Sequence, residues 1–201
     1  MLFLIAAPIC AMLPAQAAAG NTELFPLTQG SWWSYKSTDG KGKNWKSKLT
    51  VSSVKPAKDG TAVYKVTAVD GIETSLQFYM KRETSTLLER IEFTDKPAKN
   101  IIYKPAKLIL DSKIQPNNIW QWFGKVDGKT SESERYKVYP GERIKVPAGE
   151  FDCARVESFL VRDHEITYYT RWYCRGVGLV KLVVATKNGK FTQDLTGFKV
   201  N

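Results

Sequence analysis

The stretch CARVESFLVRDHEITYYTRWYC, Cys153 to Cys174, reads as a single antiparallel hairpin turning at Asp163-His164. With Arg162 opposite Glu165, Val161 faces Ile166, Phe159 faces Tyr168 and Cys153 faces Cys174. The same register carried outward sets Phe151 against Gly176 and Gly149 against Gly178. If Arg162 and Glu165 form the hydrogen-bonded pair beside the turn, Cys153 falls at a non-hydrogen-bonded site. Cα atoms there approach to about 4.5 Å, near the lower limit for a disulfide. A closed loop of roughly twenty residues would contribute about 3 kcal/mol to stability. The rival reading is a metal site using both cysteines and His164. It puts His164 at the far tip, roughly 30 Å away at ~3.4 Å per residue. A Cys153–Cys174 disulfide is therefore expected, and no metal site.

A disulfide implies an oxidising compartment, and the first residues agree with that. Residues 1–19 carry no charged side chain and end in the A-x-A pattern Ala15-Gln16-Ala17. This reads as a secretory signal peptide, with residues 20–201 as one mature domain in the periplasm or outside the cell. Cys10 follows Pro8-Ile9 and lacks the small residue that a lipid-attachment site wants just before its cysteine. The 201 residues suffice for one domain with a real core, and the net charge is +10. No later segment has the length and hydropathy of a membrane-spanning helix.

From Ser31 onward, short runs of β-branched and aromatic residues alternate with turns such as Asp39-Gly40, Lys58-Asp59-Gly60, Asp70-Gly71, Asp127-Gly128 and Asn188-Gly189. Such dipeptides between alternating segments are the strongest short-range hairpin signals. In residues 45–51, Trp45, Leu49 and Val51 share one face; in residues 75–81, Leu76, Phe78 and Met80 do so. Only Lys104 to Ile114 leaves room for a short helix. The expectation is an all-β fold: a single curved antiparallel sheet of about a dozen strands, forming a partial or closed barrel.

Val146-Pro147-Ala148-Gly149-Glu150-Phe151-Asp152-Cys153 and Gly176-Val177-Gly178-Leu179-Val180-Lys181 together resemble an uncharacterised family of bacterial envelope proteins with paired V-P-A-G-x-F-x-C and G-V-G-L-V-K motifs. Phe25-Pro26-Leu27 and Gly30-Ser31-Trp32-Trp33-Ser34-Tyr35 add a weaker echo. The family is similar in fold to the half-barrels of periplasmic lipoprotein carriers, and the resemblance implies that fold without an activity. This chain departs in placing Cys174-Arg175 before the glycines. Gly149, Phe151, Gly176 and Gly178 read as structural, with the Phe151 ring lying over Gly176. Gly176-Val177-Gly178 lacks the third glycine and following helix of a nucleotide loop.

No catalytic constellation emerges. His164 reads as a solvated turn residue, both cysteines are spent in the disulfide, and no cofactor is called for. Nucleic acid is not an expected partner. Six tryptophans, with Trp32-Trp33 and Trp120-Gln121-Trp122-Phe123 putting rings on both faces of their strands, favour contact surfaces. Lys36, Lys41, Lys43, Lys46 and Lys48 form a basic cluster suited to an anionic envelope component, or to a solubilising edge. Two non-enzymatic functions follow as expectations. One is a binding protein holding a lipid or lipidated chain in an apolar groove lined by Trp45, Phe78 and Trp122. The other is an envelope adaptor with a packed core, acting through surface aromatics and lysines.

Overall fold

The computed structural model describes residues 23–57, 61–83, 85–111 and 114–201. The signal segment expected at residues 1–19, Cys10 and the Lys58-Asp59-Gly60 turn lie outside them. Twelve strands follow in order: β1 (Trp32–Asp39), β2 (Asn44–Pro56), β3 (Ala62–Asp70), β4 (Glu73–Arg82), β5 (Ser85–Phe93), β6 (Ile101–Leu110), β7 (Ile119–Val126), β8 (Thr130–Val146), β9 (Gly149–Arg162), β10 (Glu165–Cys174), β11 (Gly178–Thr186) and β12 (Gly189–Lys199). Each pairs antiparallel with its neighbours in sequence, and β12 returns to β1, Trp32 opposite Lys199 and Asp39 opposite Phe191. The result is a closed up-and-down barrel, with β6 and β7 joined by two pairs, Tyr103 opposite Val126 and Lys104 opposite Lys125.

The β9–β10 hairpin has the expected register. Asp163 and His164 both adopt positive φ, 48° and 65°, as a two-residue hairpin turn whose twist matches its strands requires. Glu165 therefore opposes Arg162, and the alignment runs unbroken to Tyr173 opposite Ala154. Cys153 and Cys174 are disulfide-bonded, Cα to Cα 4.3 Å. Beyond the bond the expected alignment fails. At residues 174–178 the chain turns directly into β11, so Gly178 pairs with Cys174 instead of facing Gly149. Phe151 packs on Phe198, ring centroids 6.0 Å apart.

The helix allowed at residues 104–114 is also replaced, by strand β6. Its buried positions Tyr103, Lys107 and Leu110 are spaced four and three residues apart. Irregularities in the β5–β6 pairing produce that spacing, which imitates helical periodicity. In β4 the inward face is the reverse of the one alternation suggested. Ser75 and Tyr79 are buried in the lumen, while Phe78 lies on the outer face with the Arg90 guanidinium 3.6 Å from its ring centroid.

Among the described residues the lumen is filled. Inward side chains from all round the wall, among them Trp33, Tyr35, Val66, Val156, Val180 and Leu195, are almost wholly inaccessible. Residues 23–28 enter at the end where Asn201 bonds to Gln29 and Ser31, and stop that mouth. Phe25 packs against Trp33 of β1, Tyr79 of β4 and Tyr173 of β10, with centroids 6.2, 5.6 and 6.4 Å away. A single ring touching three separated strands bridges the two apolar clusters of the core. Outer faces instead carry charge at mid-strand, such as Lys48, Lys65, Arg135, Lys137 and Glu157. Transmembrane barrels show the opposite polarity, an apolar band outside and polar side chains within. Among the described residues no helix is long and apolar enough to cross a membrane.

Candidate functional site

The two glycine-flanked motifs meet the N-terminal segment at the stopped mouth. Gly176 adopts φ +69° and donates its N–H to the Glu23 carbonyl at 2.9 Å. The Trp33 indole donates to the Val177 carbonyl at 2.5 Å, and the Tyr35 hydroxyl to the Leu179 carbonyl at 3.0 Å. A Cβ at Gly178, where φ is +104°, would meet Trp33 Nε1 at 3.2 Å and Pro26 at 3.6 Å. Gly178 therefore makes room for the tryptophan and the proline that close the barrel. The motifs of residues 25–35 and 176–181, far apart in sequence, form one structural joint.

Toward the opposite end the lumen becomes polar. Glu132 and Glu134 alternate with outward residues on β8, sharing the inward face of Tyr136 and Val138. Lys107 of β6 binds both carboxylates, contacting Glu134 at 2.7 Å. Arg162 of β9 also pairs with Glu132. Arg171 of β10 lies 3.3 Å from Glu134 and donates to the Ser158 hydroxyl at 2.7 Å, and Ser158 in turn donates to Glu134. Lys107 sits 5.3 Å from the ring centroids of both Tyr103 and Trp122, and Arg171 packs 4.2 Å from that of Tyr169. Three cations from three strands thus hold two buried carboxylates.

Burial alone would raise the Glu134 carboxyl, but the charges of Arg171 and Lys107, with hydrogen bonds from Lys107 and Ser158, outweigh it and bring its pKa down to about 2. Burial raises the Tyr136 phenol well above its ordinary range, helped by the Glu134 charge. Glu134 is therefore charged and Tyr136 neutral near neutral pH, and neither group is poised to exchange protons there. Sequence reasoning missed this site. Its one visible signal was parity: Glu132 and Glu134 occupy the same alternate positions as Tyr136 and Val138.

The three residues expected to line a groove do not converge. Trp122 is buried in the lumen, its indole donating to the Ala106 carbonyl at 3.1 Å, edge-on to Tyr103. Trp45 sits at the far rim, donating to Asp70 at 2.5 Å, its ring 5.7 Å from Phe191. Phe78 is on the outer wall. Of the paired aromatics, Trp33 points in while Trp32 points out beneath the Lys48 ammonium, 5.2 Å from its centroid. Trp120 and Trp122 are both internal and Phe123 is external, 62 % exposed.

Phe123 belongs to an apolar stretch of the outer wall. The outer row of β7 to β10 runs Phe123, Ser133, Val161, Ile166 by cross-strand pairing, with Phe159 opposite Tyr168 one step along. Tyr168 is 57 % exposed, and Phe159 and Ile166 are exposed as well. His164 lies at the rim of this patch, on the solvated tip where the sequence placed it.

No family model and no curated protein matches the chain. Two solved structures resemble it over almost its whole length. A presumed lipoprotein from Parabacteroides distasonis superposes with a TM-score of 0.57 at 19 % identity, covering 89 % of this chain and 99 % of that one. A presumed exported protein with a YmcC-like fold from Bacteroides fragilis gives 0.52 at 15 % identity, covering 87 % and 98 %. At these identities the likeness speaks to the fold alone.

Proposed function

We propose that this chain is a non-enzymatic envelope protein that works through the outside of its barrel, as an adaptor whose core serves only to hold the wall rigid. The observation that carries the reading is the filled lumen, in which Phe25 touches rings on β1, β4 and β10 where a groove for an acyl chain would have to lie. Localisation in the periplasm or outside the cell is supported by the Cys153–Cys174 disulfide and by the description of the two similar structures as lipoprotein and exported protein. The absence of catalysis is argued from the buried carboxylates. Glu132 and Glu134 are each held by two cations, which leaves neither free as a general acid or base.

The contact face under this reading is the Phe123, Phe159, Ile166 and Tyr168 wall, which offers aromatic anchors of the kind that dominate protein interfaces. The partner is a protein presenting apolar side chains. A photoreactive amino acid placed at Tyr168 in the cell, compared with one at Thr67 on the β3 wall, tests it. The expected result is a discrete protein adduct from position 168 alone, abolished by Phe159→Asp while the unfolding midpoint stays unchanged. Equal adducts from both positions, or none from position 168, would overturn the proposal. A lipid adduct at Trp122 would instead favour the alternative, an apolar ligand held inside.

A further inference from the structure

Three hairpin tips at the end of the barrel opposite residues 23–31 form one braced block. Gly40, in the β1–β2 tip, lies against the backbone of Gly189 and Lys190 at the β11–β12 tip, where an added Cβ would meet Lys190 N and O at 3.2 Å. The Gly71 N–H, in the β3–β4 tip, donates to the Lys46 carbonyl at 3.1 Å. Trp45 packs its ring on Gly71, and its indole is bonded to Asp70. From this support Ile72 projects into solvent at 97 % exposure, the most exposed large apolar side chain of the described residues.

Lysines stand on one side of it, on β2 and the tips beyond. Lys41, Lys43, Lys46 and Lys190 stand on the braced block, and none of them is in an ion pair among the described residues. The acids of the same block are already engaged. Asp39 accepts the backbone N–H groups of Lys41 and Lys43 at 2.9 Å, and Asp70 accepts Trp45 and Ser47. On the other side Glu73 and Asp95 stand with Lys96, which pairs with Glu73 at 2.6 Å, and Lys99, 4.0 Å from Glu73, so that flank is balanced in charge. A rigidly backed aliphatic tip flanked on one side by ammonium groups that have no ion pair among the described residues matches the chemistry of an anionic bilayer surface: acyl chains beneath a layer of phosphates.

We infer that this end of the barrel docks on an anionic lipid surface, with Ile72 entering the headgroup boundary and Lys41, Lys43 and Lys46 contacting lipid phosphates. This goes beyond the protein-contact face on the β7–β10 wall and stands independently of it. The attraction acts over about a Debye length and weakens with salt.

Flotation of the disulfide-bonded protein with vesicles tests it, using phosphatidylglycerol mixed with phosphatidylcholine against phosphatidylcholine alone. Binding to the anionic vesicles at low salt is expected, with loss as salt is raised. Replacing Lys41, Lys43 and Lys46 together by Gln should lower the partition coefficient about 100-fold, at roughly one lipid-phosphate attraction per lysine. Ile72→Ser should lower it roughly tenfold, and Ile119→Ser, at the opposite end, should leave it unchanged. Ile72 and Ile119 are exposed, so neither change threatens the fold. No binding to anionic vesicles, equal binding to both compositions, or equal loss from Ile72→Ser and Ile119→Ser would each overturn the inference. Loss with the lysine variant but none with Ile72→Ser would overturn it too, because contact would then be charge alone, without the tip.

Discussion

Glu134 accepts from Ser158 and lies beside Lys107 and Arg171, in a part of the lumen where an unpartnered carboxylate would be prohibitively costly. Its pKa is 4.5 before folding and about 2 in the barrel. Because folding depresses it, the stabilisation is fully present above pH 4.5 and is lost as pH falls from there toward 2. Its size is on the order of 3 kcal/mol. Unfolding midpoints measured across that interval should fall steeply for the native chain and more gently for Glu134→Gln. At neutral pH the same substitution should cost about 3 kcal/mol, because Lys107 and Arg171 lose a buried counter-charge. Gly178→Ala should also destabilise, by roughly 1–3 kcal/mol, since it strains a left-handed position and crowds Trp33; a denaturant titration reads this directly. The roles of these two residues differed in how visible they were beforehand. Gly178 stood out as part of a motif, though its partner is Trp33 and not Gly149. The function of Glu134 depended on cations from β6 and β10, which only the closed barrel brings to β8.

Among the elements, the β9–β10 hairpin was the most legible. Its turn residues Asp163 and His164 tolerate positive φ, its strands alternate cleanly, and the cysteines mark the register. Reduction of the disulfide, or Cys174→Ser, should lower stability by about 3 kcal/mol from the freed loop entropy, measured as the shift in unfolding midpoint with and without reductant. The inward face of β4 could not be read the same way. Leu76, Phe78 and Met80 look like a core stripe, yet Phe25 already fills the space beside β4. There Tyr79 needs the Gln77 side chain as acceptor, 2.6 Å away. The polar stripe therefore faces in, and the apolar one lies outside, where Phe78 packs under Arg90. Residues 23–28 were legible only as a motif echo, since a plug depends on contacts with three distant strands. Phe25→Ala should cost about 3 kcal/mol and speed hydrogen exchange at Tyr79 and Tyr173 more than at Phe159, which lies outside the core.

At the scale of the whole molecule, alternation and turn spacing were enough for an all-β sheet of about a dozen strands, but not for its closure. Closure rests on the β1–β12 pairing, whose partners stand at opposite ends of the chain, and no local pattern encodes it. The same pairing turns a half-barrel with an open groove into a wall wrapped round a packed interior, and it moves the surface available to partners outside. What decides the function is whether that interior is occupied by the chain's own side chains. Native mass spectrometry of the protein purified from its host envelope, without detergent exchange, measures this most directly. The predicted result is the mass of the disulfide-bonded polypeptide alone. A stoichiometric lipid-sized adduct that survives mild activation and disappears on unfolding would contradict it.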